Sequence, residues 1–104
     1  MAIIDGTSAL VSTIERDLFN IDAGSKFYAT WINLDPMVAA DTFRIRVYVD
    51  DALAGIERSY MDETVVGVQD PPMVYVPPIS ADHIRVTMIK VAGTDRVFKW
   101  RRSE

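Results

Sequence analysis

The chain has 104 residues, about half of them apolar and a quarter charged, with no cysteine and a formal charge of −4. That length suits one domain around one hydrophobic core and is too short for two, so residues 1–104 are expected to fold as a single unit. Disulfides and thiolate metal sites are excluded, the acidic balance argues against general nucleic-acid affinity, and no uncharged run is long enough for a membrane-crossing helix.

The opening Met1 to Asp5 lacks a basic start followed by an apolar stretch, so no export signal is expected. In the segment 8–18, Leu10, Val11, Ile14 and Leu18 have helical spacing, but the run from Leu10 to Ile14 is rich in branched residues, and a strand is favoured. Residues 26–34 read as a strand with two apolar faces, Phe27, Ala29 and Trp31 on one and Tyr28, Ile32 and Leu34 on the other. In a two-layer sandwich one face of each sheet normally meets water, so a covering loop, terminal segment or second subunit is implied. Asp35 and Pro36 end it.

The clearest alternation spans residues 42–50, where Phe43, Ile45, Val47 and Val49 point one way and Arg44, Arg46 and Tyr48 the other. Shorter strands are expected over 55–61 and 64–68, around an acidic turn at Asp62 and Glu63. Pro71, Pro72, Pro77 and Pro78 bracket residues 73–76, which must form an edge strand or an extended surface segment because proline cannot donate to a ladder. Residues 84–91 alternate again. A turn at 92–95 is then expected to return the chain as a hairpin partner over 96–100. The pattern as a whole predicts an all-β fold, an antiparallel β-sandwich of jelly-roll-like or immunoglobulin-like form with about seven to eight short strands.

Reactive groups do not converge. His83 is the only histidine; it stands beside Asp82 and near Ser80, and Asp82 is poorly placed to form a relay with it, because adjacent strand residues point to opposite faces. Asp50, Asp51, Asp62 and Glu63 could meet across a hairpin and hold calcium, but solvated turns explain them more simply. The five glycines are isolated, so no phosphate loop is implied. No enzyme activity and no cofactor are expected. Trp31, Tyr48, Tyr75 and Trp100 would make a sugar-binding platform if they shared an exposed face, although core or interface packing is the simpler use.

Several residue groups resemble those of small β-rich virion structural proteins of tailed phages and related prokaryotic viruses. They are Asp5, Gly6 and Thr7; Met37 with Asp41 and Thr42 leading into the strand with Arg44, Arg46 and Tyr48; and Val86, Thr87 and Met88 followed by Ala92, Gly93, Thr94, Phe98 and Trp100. The resemblance implies a minor capsid, decoration or tail component, located in the virion and acting through contacts with itself as a homo-oligomer and with other virion proteins. From the charge and the lack of a spanning run, no nucleic-acid or membrane partner is expected. Tyr28, Trp31, Ile32, Arg44, Arg46, Tyr48, Met73, Tyr75 and Trp100 are then the candidate subunit-interface residues, apolar area supplying affinity and arginine pairs supplying register. A carbohydrate-binding β-sandwich using exposed aromatics is the alternative reading.

Overall fold

The computed structural model describes residues 3–51 and 56–103. They form six strands, β1 (Ile3–Thr7), β2 (Arg16–Asn33), β3 (Thr42–Asp51), β4 (Ile56–Val66), β5 (Met73–Ala92) and β6 (Lys99–Ser103), with no helix among the described residues. Every pairing is antiparallel, in the order β1-β6-β2-β5-β3-β4.

At 18 and 20 residues, β2 and β5 are far longer than the usual strand of about five or six. They pair along most of their length, with a register shift between Asp22 and Lys26 that divides each into two halves. That shift marks a strand corner. Beyond that corner, residues 29–32 of β2 take β6 as a second neighbour, and residues 84–92 of β5 take β3. One layer is therefore β1, β6, the second half of β2 and the first half of β5. The other is the first half of β2, the second half of β5, β3 and β4.

Counting both halves of β2 and β5 gives eight strand segments, ordered 1-8-3-6 in one layer and 2-7-4-5 in the other. The nested pairs 1–8, 2–7, 3–6 and 4–5 describe one long antiparallel ribbon wound over itself, which is the jelly roll. The all-β antiparallel sandwich expected from the alternation is thus what the chain forms, and of its two expected variants the connectivity is the jelly-roll one.

The alternating apolar positions meet between the layers. Tyr28, Ile32, Val74 and Val76 from the first join Phe43, Ile45, Val47, Ile84, Val86 and Met88 from the second in one buried cluster. Each such aliphatic or phenyl group contributes about 1.5–3 kcal/mol on full burial. Aromatic pairs tie the layers together: Phe19 lies 5.0 Å from Trp100, and Phe43 meets Phe98 edge-on at 4.9 Å.

Four local expectations are corrected. The C-terminal hairpin does not form: β6 pairs with β1 and β2, while the second half of β5 lies between β2 and β3. Alternation alone cannot tell a hairpin from a crossing, and residues 93–98 carry the chain from one layer to the other, a gap of about 10 Å, placing Phe98 in the core on the way. The pieces read as 55–61 and 64–68 join in one strand, β4, with Asp62 and Glu63 in its interior; it ends at Val66, before Gly67 and Val68, and Gly55 lies outside the described residues. A bulge at Tyr60 breaks the period there, and Asp62 is suited to a strand because it lies opposite Arg46. The segment 8–18 is a strand only from Arg16; before that it is an extended crossing anchored by the Val11–Arg96 bridge and by Ser8, whose N–H donates to the Phe98 carbonyl at 2.7 Å. Finally, Pro77 and Pro78 do not end their strand, because they fall at a register irregularity on the free edge of the first layer.

Candidate functional site

The two outer faces of the sandwich differ in chemistry. On the second layer, Arg44, Arg46 and Tyr48 of β3 alternate outward as the sequence indicates, and each has a partner within the chain. Arg44 donates through Nε to Asp62 Oδ1 at 2.6 Å, and Arg46 donates through Nη1 to Glu15 Oε1 at 2.8 Å while its Nε lies 3.6 Å from Asp62. The Tyr48 hydroxyl donates to Glu15 Oε2 at 3.1 Å, and the Arg85 guanidinium lies over the Tyr48 ring, 4.4 Å from its centre. Arg85 reaches Glu57 at 2.8 Å and Asp17 at 3.4 Å, and His83 Nε2 lies 3.3 Å from Glu57 Oε2. The Arg44 hydrogen bond holds the Asp62 carboxyl below its ordinary range. The arginines expected to set register with a partner are matched by carboxylates of their own chain.

The first layer's outer face combines large exposed apolar side chains with an exposed ion pair. Cross-strand register places Trp31 between Tyr75 and Arg101, and Arg101 beside Asp5. The Trp31 and Tyr75 rings lie 5.2 Å apart at 40°. Arg101 grips Asp5 with two hydrogen bonds, Nε to Oδ1 at 2.6 Å and Nη2 to Oδ2 at 3.0 Å, and this hydrogen bonding lowers the Asp5 pKa from its ordinary value. Around them stand large apolar side chains open to solvent: Phe27 at 67% exposure, Ile3 at 59%, Met73 at 45% and Tyr75 at 43%. Between β1 and the Pro71–Pro72 segment this face dips into an open groove of about 900 Å³ with Trp31, Asn33, Asp35, Lys99 and Arg101 in its lining.

The candidate interface residues accordingly separate. Tyr28 and Ile32 are fully buried; they point inward with the core, because the face of β2 that they share is the one closed by the second layer. Trp31, Met73 and Tyr75 come together on the open face. Trp100 borders the groove but turns its indole inward against Phe19, under Gly6, where an added Cβ would clash with the ring. The four-aromatic platform is therefore not assembled: Trp31 and Tyr75 share a face, Trp100 lies beneath it, and Tyr48 is on the opposite side of the molecule.

The acids considered for calcium are apart as well. Asp62 is engaged by Arg44 and Arg46, and Asp50 is opposite Glu57 several residues along the ladder. The side chains of Asp51 and Ser80 lie outside the described residues, and no group of three or more potential metal ligands occurs among the described ones. Sequence reasoning missed the Asp5–Arg101 and Arg46–Glu15 pairs, whose members are 96 and 31 residues apart and carry no local signal. Phe27 was findable, as a large apolar residue at an outward position of an alternating strand.

No family model and no curated protein matches the sequence. Among solved structures, the chain is similar to PirA, with a TM-score of 0.56 and 11% identity over 95% of this chain and 90% of that one. It is also similar to a protein of the Bacillus endospore appendages, described as a novel family of disulfide-linked pili, with a TM-score of 0.53 and 12% identity over 96% of this chain and 85% of that one. At such identities the likeness is one of fold.

Proposed function

We propose that the chain is a non-catalytic structural subunit of a virus particle, a minor capsid, decoration or tail component of the virion that works through repeated contacts with copies of itself and with other virion proteins. The observation that carries this reading is the cluster of large apolar side chains, Phe27, Ile3, Met73 and Tyr75, that the outer face of the first layer presents to solvent. An apolar strip on a folded sandwich favours burial against a neighbour, and about 800 Å² per partner is enough for a specific contact. Jelly rolls recur in capsid domains, though a fold does not by itself fix a function. The pilus-forming neighbour adds that this architecture can serve in a polymer. Contacts in this chain would not be disulfide-linked, since it has no cysteine.

Native mass measurement tests the reading. The wild-type chain is expected to form a multimer or to co-sediment with a capsid or tail fraction, and Phe27→Asp with Met73→Asp to reduce that association while leaving the melting temperature nearly unchanged, both positions being exposed. A strictly monomeric chain that associates with no virion fraction would remove it.

A further inference from the structure

We propose that the groove on the outer face of the first layer binds a neutral saccharide, at a site that shares Ile3 and Met73 with the subunit contact proposed above. A pyranose ring has an apolar C–H face and a rim of hydroxyls, so its site needs an aromatic platform edged by planar polar groups. The groove supplies both. Trp31 is half-buried and braced by Tyr75 at 5.2 Å, which fixes the indole in one orientation on a β-sheet rather than on a loop. Beside it, the bidentate Asp5–Arg101 pair holds two planar groups edge to edge, each more than half exposed, so that donors and acceptors remain directed outward at adjacent positions. On the other side the Asn33 side-chain oxygen accepts from the Asp35 N–H at 2.8 Å, which orients the amide and leaves its NH₂ as a donor.

Charge and size select the ligand class. The charged residues lining the groove are two acids, Asp5 and Asp35, and two bases, Lys99 and Arg101. With Asp5 and Arg101 neutralising each other, the lining carries no net charge to reward a phosphate, sulfate or sialic acid. The volume of about 900 Å³ lies near the top of the range for small-ligand clefts, about 300–1,000 Å³, and the groove is open along its length, which suits a short oligosaccharide better than a compact cofactor.

The experiment is titration of the full chain against neutral and anionic oligosaccharides at millimolar concentration, read by calorimetry and by tryptophan emission. Binding of a neutral glycan is expected, weakened at least ten-fold by Trp31→Ala and measurably by Asn33→Ala, and unchanged by Phe27→Ala, which lies off the groove. Circular dichroism and melting curves check that each variant folds; because Asn33 is an exposed polar residue, that variant gives the answer should Trp31→Ala not fold. Absence of binding to every neutral glycan, preference for anionic ones, or binding retained in both groove variants would overturn the proposal. So would a change in native mass on Trp31→Ala without any glycan binding, which would make the groove a protein contact. Failure of multimer formation with glycan binding intact would remove the subunit reading alone.

Discussion

Asp41 and Arg96, 55 residues apart in the chain, form a clasp between the turn that precedes β3 and the crossing that follows β5. Asp41 is 1% exposed, and its carboxylate accepts from the Arg96 guanidinium, from the Val38 N–H at 3.0 Å and from the Thr94 N–H at 3.2 Å. Gly93 sits against it at φ +97°, a left-handed conformation that favours glycine, and an added Cβ would run into Asp41. Asp41→Asn keeps the shape but leaves the partly buried Arg96 without its carboxylate, and breaking such a pair is strongly destabilising. A melting temperature lower by more than about 10 °C is expected; thermal unfolding followed by circular dichroism checks it, and an unchanged midpoint would show that the clasp is incidental.

The same carboxylate sets the acid limit of the fold. The Arg96 hydrogen bond holds Asp41 below its ordinary pKa of 3.8, against burial, which pushes it up. Asp62 is lowered by Arg44 and Asp5 by Arg101. A carboxylate whose folded pKa lies below its unfolded one binds fewer protons in the native state, so its stabilisation is present above the unfolded value and is lost as the pH falls through the folded one. Urea midpoints should therefore hold steady above about pH 5 and decline progressively below it, with Asp41→Asn showing a shallower decline. A midpoint that rises on acidification would contradict this.

How far this was readable in advance depends on the range of each interaction. Alternation at Phe43, Ile45 and Val47 and at Ile84, Val86 and Met88 identified inward faces, because strand periodicity is local. Connectivity was not local: the corner between Asp22 and Lys26 that turns one strand into two layers, and the crossing that puts Phe98 rather than a hairpin after β5, are fixed only when distant segments pack. The residues carrying the virion-protein resemblance prove to be structural staples. Asp5 pairs with Arg101, Gly6 clears space for Trp100, Asp41 takes the Thr94 N–H, and Phe98 fills the core. Their roles speak to fold. On the candidate site, the exposed aromatics were legible as residue types, but which of them share a face follows from register alone.

Gly6 gives a direct test of such a staple. Its Cα lies over the Trp100 indole, so that Gly6→Ala would drive a methyl into the ring and force either β1 or the tryptophan to move. Overpacking of this kind costs about 1–3 kcal/mol. Denaturant melts should show that loss with an unchanged slope, and tryptophan emission should shift to the red as Trp100 gains solvent. A variant as stable as wild type would place Trp100 elsewhere.

The ion pairs of the second layer should behave differently from the Asp41 clasp. Arg44 is exposed and pairs with one acid, whereas Arg46 lies deeper and touches both Glu15 and Asp62. Exposed pairs contribute little, and salt screens them. Arg44→Ala is expected to change the melting temperature only marginally, and Arg46→Ala more. The difference should shrink in high salt, whereas the effect of Asp41→Asn should persist there because Asp41 is buried. Melts of the three variants at low and high ionic strength separate these cases.

Phe43 and Phe98 decide whether the crossing segment is held by the core or merely lies on it. The two rings meet edge-on at 4.9 Å, and both side chains are fully buried, one from β3 and one from the segment before β6. Truncating either to alanine removes a phenyl group and leaves a cavity, a loss of about 3–5 kcal/mol. If the crossing were only a tether, Phe98→Ala would be mild and would add independently to Phe43→Ala. Because the rings touch, the double variant should instead lose less than the sum of the singles, by about 0.5–1.5 kcal/mol for the aromatic pair. Strict additivity in a denaturant-melt double-mutant cycle would mean that the two rings do not contact each other in solution, and that the crossing takes another path between the layers.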